Sequence, residues 1–344
     1  MSGARAAEQV DVAVVGAGPC GLAAAITLRA AGFDAVVFDG ACVASTITQY
    51  PTYVQFFSTA EKLAIGGLPF VVAAEKPTRR DALAYYRAAV RYFDLPVRQY
   101  ERVTGIPGRD GAFTVRSVTR AGVERETRAR KVVVATGYFG SPNRIGVPGE
   151  ELAHVAHAYR EGHEAFDQDV VVVGGGNSAA EAALDLWRNG ARVTLVHFGP
   201  TFDKRIKPWI LPDVTNRIGE GSIAARWESR VTRIEGEQVM LATPRGAECL
   251  KADRVYLMTG FAPNVDLLRA AGVSIDPATG VPAHDSATLE TAVPGVFIAG
   301  VVVAGFDANK IFIENGRCHG ERILARLRGG APPAEPTLSA ELDT

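Results

Sequence analysis

The chain has 344 residues, 47% apolar and 22% charged, which at the usual ~150 residues per domain makes about two ordinary domains. Lysines and arginines number 37 against 38 acids, a formal charge of −1, so neither general nucleic-acid binding nor a polybasic membrane anchor is supported. No apolar run approaches the ~20 residues of a membrane helix, Met1 to Val10 lacks a signal-peptide core, and Cys20, Cys42, Cys249 and Cys318 form neither CxxC pairs nor metal-ligand spacing, so a soluble cytoplasmic protein with free thiols is expected.

The first predicted element is an apolar strand, Val12 to Val15, running into the turn GAGPCG, Gly16 to Gly21. An Ala/Leu-rich helix follows, then a C-cap glycine, Gly32, and a second apolar strand ending at Asp39. Gly16 permits the strand-to-helix bend, Gly18 lets backbone approach a pyrophosphate, and Gly21 lets the helix pack close to the sheet. Gly16, Gly18, Pro19, Cys20 and Gly21 are therefore the candidate phosphate cradle, backed by the positive end of the helix. Asp39, at the end of the second strand, accepts from a ribose hydroxyl and repels a 2′-phosphate, which fits FAD or NAD. Tyr50, Phe56 and Phe57 follow as an aromatic group. Arg79 to Asp94 then reads as an amphipathic helix with Leu83, Tyr86, Val90 and Phe93 inward and Arg79, Arg80, Arg87 and Arg91 solvated.

Lys131 to Gly137, KVVVATG, is a strand whose small end, Ala135, Thr136 and Gly137, suits passage close to a cofactor. Ser141 to Gly149 reads as a linker. His154, His157 and His163 have no acid or cysteine at ligand spacing, so no metal site is expected. A second copy of the first unit then begins: Asp11 to Asp39 matches Asp169 to His197 at an offset of 158. Its turn carries Gly174, Gly176, Asn177, Ser178 and Ala179. The place of Asp39 is taken by His197, with Lys204, Arg205 and Lys207 beyond it. With no acid to oppose a 2′-phosphate and cations at hand, this copy fits NADPH, although the basic stretch also reads as a solvated loop. Tyr256 to Gly260, YLMTG, echoes the earlier small-ended strand, and a second crossover falls near His284 to Thr291. The expected fold class is α/β with two Rossmann-like dinucleotide-binding domains, the NADPH domain inserted into the FAD domain. Residues 1–149 and 285–344 form the outer domain and 150–284 the inner one.

Two such units with an ATG strand between them resemble the thioredoxin-reductase-like flavoproteins. GAGPCG at Gly16, YPT at Tyr50, FFS at Phe56, KP at Lys76, YY at Tyr85, IKPW at Ile206 and AGFDANKIFIENGRCHG from Ala304 together resemble the bacillithiol-disulfide reductase family of the YpdA type, over about Asp11 to Leu327. The resemblance implies an FAD-dependent, NADPH-using enzyme that reduces a small-molecule disulfide as a homo-oligomer. It implies FAD contacts at Tyr50, at Gly300 in the last strand, and at Lys310 and Ile311 in the C-terminal cover. Two departures stand out: there is no CxxC before the second glycine turn, and Val301 follows Ala299-Gly300 where relatives carry an acid. Cys20 is the candidate redox thiol, its pKa expected to be lowered by the helix N-terminus. A ferredoxin- or flavodoxin-NADP reductase, a flavin monooxygenase and a low-turnover flavin sensor remain as other readings.

Overall fold

The computed structural model describes residues 8–204 and 206–333. Both predicted strand–turn–helix–strand copies form. In the first, Gln9–Val15 pairs in parallel with Ala35–Phe38, Val12 opposite Ala35 and Val15 opposite Phe38, with helix Pro19–Ala30 crossing between them. Runs such as AVVF are buried along their whole length because a parallel sheet is covered on both faces. The helix stops where Gly32, at φ 91°, lets the Phe33 N–H reach the Leu28 carbonyl at 3.1 Å. In the second copy Asp169–Val173 pairs with Arg192–Val196, and Asn177–Arg188 is the crossover helix.

The chain forms two compact units. The first comprises the described parts of Met1–Thr48, Gln55–Ser141 and Phe261–Leu342. Its main sheet runs Val97–Arg98, Ala35–Phe38, Gln9–Val15, Glu124–Val134, Ala112–Thr119, Glu101–Gly105. The long strand Glu124–Val134 pairs antiparallel with Ala112–Thr119, then parallel with Gln9–Val15 and with Val296–Ile298. The chain is back in this unit from Phe261, well before the crossover expected near residue 285. The reason is apolar: Val265, Leu268 and Val273 pack with Val10, Val36, Phe113 and Val132. Helix Arg79–Tyr92 starts at a Thr78–Asp81 capping box, and its buried face is Ala82, Tyr85, Tyr86 and Ala89. Leu83, Val90 and Phe93, expected inward, are only partly buried. The Tyr85 hydroxyl donates to the Leu68 carbonyl at 2.8 Å and accepts from the Ile65 N–H at 2.8 Å, which draws the face around to it. Arg79 is not a free surface cation; it donates to the Ile47 and Thr48 carbonyls at 3.0 and 2.6 Å.

The second unit comprises Gln49–Val54 and Pro142–Gly260 among the described residues. Its five-stranded parallel sheet runs Ala224–Arg226, Arg192–Val196, Asp169–Val173, Arg254–Leu257, Val155–Ala156. Alternate side chains go to opposite faces. Val170, Val172, Val193 and Leu195 meet Ala179, Ala183 and Leu186 of the crossover helix. Val171, Val196, Val255 and Leu257 meet Val231, Ile234, Val239 and Leu241 of a three-stranded antiparallel sheet, Arg230–Glu235, Gln238–Thr243, Gly246–Lys251. The stretch expected to be a linker is part of this layer, since Ile145 and Val147 pack on the same cluster. Among the described residues no helix is long and apolar enough to cross a membrane.

Candidate functional site

In the first cradle the chain leaves Val15 and turns at Gly16 with φ 115°. A Cβ on Gly16 would lie 2.2 Å from the Ala135 carbonyl oxygen, and one on Gly21 would lie 2.0 Å from the Gly16 oxygen. The small strand end at Ala135 is thus the surface against which the turn is folded. A Cβ on Gly18 would meet nothing within 4 Å, so the cradle is open there. Helix Pro19–Ala30 has no side-chain cap and no acid in its first turn. Pro19 has no N–H, which leaves the Cys20 and Gly21 N–H groups as donors for an anion. The Asp39 carboxylate accepts from the Ala17 and Ala41 N–H groups, each at 2.8 Å. These bonds lock it at the strand end with lone pairs left for ribose hydroxyls. The arrangement fits the adenosine and pyrophosphate of FAD. Thr136 is exposed and Gly137 half-buried just past the turn.

Cys20 is brought to the turn that follows the strand Val296–Ile298 and to the C-terminal segment. Hypothetical Cβ atoms on Gly316 and Gly300 would lie 2.8 and 3.2 Å from its sulfur. Ile311 packs against Gly316, and the Lys310 carbonyl accepts from Asn315 Nδ2 at 3.0 Å. Cys20, Gly300 and Ile311 are therefore one cluster, whereas the Lys310 side chain is 71% exposed. The Gly300 N–H donates to Nδ1 of His319 at 3.1 Å. His319 is buried, its Nε2 has no partner, and burial together with Arg322 and His284 pushes its pKa down to about 3. Sequence reading missed His319 because nothing local distinguishes it from the next helix residue. The expectation of a lowered pKa at Cys20 is reversed: burial, with Cys318 adding, pushes the thiol up to about 12. Part of the residue is exposed, but its sulfur is enclosed by the two glycines, and loss of hydration outweighs the helix dipole. Cys20 is a protonated thiol at neutral pH.

The second cradle repeats the first, with Gly174 folded against the Met258 carbonyl and helix Asn177–Arg188 again lacking a side-chain cap and first-turn acids. A loop is tied across it: the Asp203 N–H donates to the Gly175 oxygen at 2.9 Å and the Lys207 N–H to Asn177 Oδ1 at 2.8 Å. Ser178 is exposed and Ala179 buried. His197 sits where Asp39 sits in the other copy: Gly174 N–H bonds Val196 O as Gly16 N–H bonds Phe38 O. The imidazole is bulkier than a carboxylate, and the neighbours are trimmed to suit. A Cβ on Gly175 would be 2.3 Å from His197 Cε1 and one on Gly199 2.8 Å from Nε2, whereas the matching residues beside Asp39 are Ala17 and Ala41. His197 is buried with Nδ1 unpartnered; burial, with Arg230 adding against the pull of Asp203, holds its pKa below the usual range. It is a neutral donor-acceptor rather than a cation. Lys204 is exposed, and Arg205 lies outside the described residues. Gly260 closes the unit, its carbonyl accepting from the Asn143 N–H at 3.0 Å. Tyr50 belongs to the Gln49–Val54 segment of this second unit. A further residue, Glu181, stands one turn into the crossover helix with its carboxyl pushed up to about 7 by burial. Sequence reading missed it too, because nothing local marks it as buried; the helix carries a second acid, Asp185.

The pattern of the pyridine nucleotide-disulphide oxidoreductases matches residues 13–300. The chain is 42% identical over 322 residues to the bacilliredoxin reductase Bdr of Bacillus subtilis (strain 168), covering 93% of this chain and 98% of that one. The solved bacillithiol disulfide reductase Bdr (YpdA) from Bacillus cereus superposes with a TM-score of 0.91 at 42% identity, covering 94% of this chain and 99% of that one. Its counterpart from Staphylococcus aureus gives 0.88 at 36% identity, covering 94% and 99%. With two nucleotide cradles built as above, the chain belongs to the pyridine nucleotide-disulphide oxidoreductase family, as an FAD- and NADPH-dependent disulfide reductase.

Proposed function

We propose that the disulfide is a low-molecular-weight one, bacillithiol disulfide, reduced in the cytoplasm by a homo-oligomer of this chain. The observation that carries the reading is the near full-length similarity, at 42% identity, to a protein whose name states that substrate. The chain's own residues agree with it. No CxxC is present to relay electrons to a protein, and one cysteine, Cys20, stands in the first cradle. The four cysteines are free, which suits a reducing compartment.

One disulfide, one NADPH and one proton give two thiols and NADP⁺. The bound FAD and NADPH supply the hydride chemistry. The protein's part is to hold them. Gly16 to Gly21 and Asp39 take the pyrophosphate and ribose of the first cofactor, and Gly174 to Ala179 take the pyrophosphate of the second. Cys20 is the candidate thiol for contact with the substrate. Being protonated and enclosed, it attacks a sulfur only after giving up its proton. A second reading is favoured by the name of the B. subtilis relative: the acceptor is the small protein bacilliredoxin.

The test is stopped-flow reoxidation of NADPH-reduced holoenzyme, followed at the flavin absorbance, with bacillithiol disulfide and with oxidised bacilliredoxin. Fast reoxidation by the small disulfide supports the proposal. Reoxidation by bacilliredoxin alone replaces it with the second reading, and an unchanged rate in Cys20→Ala removes the thiol from the scheme. Light scattering of the holoenzyme checks the assembly; a monomer at working concentration refutes that part.

A further inference from the structure

Discrimination between NADPH and NADH needs a cation at the 2′-phosphate, and in the second unit the strand end offers neither an acid nor a charged histidine. The residue after His197 is Phe198, where the first copy has Gly40. The residue is 60% exposed. Over its ring lies the Arg230 guanidinium, 4.8 Å from the centroid. The placement is built in: the His197 N–H donates to the Arg226 carbonyl at 2.9 Å and the Ser229 N–H to the His197 carbonyl at 2.9 Å, so the chain entering Arg230–Glu235 is pinned beside the strand end. The other nearby guanidinium is spent, because Arg226 Nε donates to both oxygens of Glu248 at 2.9 Å. Arg230 pairs with no carboxylate among the described residues. Asp203 is the acid nearest the imidazole, 3.6 Å from Nε2, and Glu228 is exposed.

We propose that Arg230, stacked on Phe198, grips the 2′-phosphate of NADPH and sets nucleotide choice. The inference rests on the NADPH assignment and deepens it. Contact with the ring holds the guanidinium beside the strand end with no carboxylate partner among the described residues, and a phosphate dianion can take two parallel N–H bonds from such a group. Phe198 is then a platform for a cation, which accounts for a large exposed ring at a nucleotide site. The unpartnered Nδ1 of buried His197 lies at the same strand end.

The experiment is equilibrium titration of FAD-loaded protein with adenosine 2′,5′-bisphosphate and with 5′-AMP, in wild type, Arg230→Gln, Arg230→Lys, Phe198→Leu and Lys204→Gln. Wild type is expected to favour the bisphosphate. Arg230→Gln is expected to lose about 10- to 100-fold of bisphosphate affinity while holding 5′-AMP within about twofold, which also shows that the unit is folded. Arg230→Lys and Phe198→Leu are expected to fall between. Full bisphosphate affinity in Arg230→Gln, or an equal loss in Lys204→Gln, overturns the assignment to Arg230. Absence of any bisphosphate preference in wild type overturns the NADPH reading beneath it.

Discussion

The pairing of strand-end residue with turn residue can be tested inside one chain, because the two copies solve the same problem differently. Gly175→Ala places a methyl 2.3 to 2.5 Å from three atoms of the His197 ring, which is buried and flanked by Phe198 and Trp227. Gly175 carries no positive φ, so the backbone accepts alanine and the cost is the clash alone. Overpacking of this kind costs about 2 kcal/mol, which lowers the midpoint of a unit this size by about 5 °C or more. The second change, His197→Asp, rebuilds the other copy's pair, in which Ala17 and Asp39 coexist and the Ala17 N–H bonds the carboxylate at 2.8 Å. The double variant is therefore expected to recover most of the loss, giving a coupling energy of about 1–2 kcal/mol. The readout is unambiguous as to unit, because all three tryptophans, Trp187, Trp209 and Trp227, lie in the second one. Thermal unfolding by tryptophan fluorescence at fixed scan rate compares the four proteins. Additive losses, with no recovery in the double variant, would refute the steric argument and with it the equivalence of His197 and Asp39.

Three further outcomes follow from the geometry. Glu181 has a folded pKa raised to about 7, so it favours folding below its ordinary range and loses that contribution as pH climbs from about 4.5 to 7; Glu181→Gln should gain about 1–3 kcal/mol over wild type at pH 8 and little at pH 5, and a pH-independent difference in the tryptophan transition would count against it. His319 has the opposite sense: its folded pKa is depressed to about 3, so its contribution is complete above about 6.5 and drains away toward acid. His319→Asn keeps an acceptor for the Gly300 N–H and should flatten the acid limb of first-unit stability, read by flavin release; an unchanged limb contradicts the assignment. Iodoacetamide at pH 7.5 should label exposed Cys249 well before Cys20, whose thiol is held near 12, and mass spectrometry showing Cys20 modified first would refute its burial.

The periodicity of the chain carried the architecture. An apolar run, a glycine turn, a helix and a second apolar run can satisfy their backbone and bury their side chains as one parallel crossover unit, so the repeat at Asp11 and Asp169 determined both cradles, their helices and the strand-end positions Asp39 and His197. The glycine spacing at Gly16, Gly18 and Gly21 was legible because steric exclusion is local. What lay beyond it was decided by groups distant in sequence. Cys20 reads as an activated thiol from its helix alone, yet Gly300, Gly316 and Cys318, some 300 positions away, enclose it and invert its pKa. The second copy reads as offering Lys204, Arg205 and Lys207 as its cations, yet the guanidinium that packs over Phe198 beside His197 is that of Arg230, on a strand from another layer. Local sequence sets backbone conformation and face; dielectric environment and charge pairing are sums over neighbours that only the folded chain assembles.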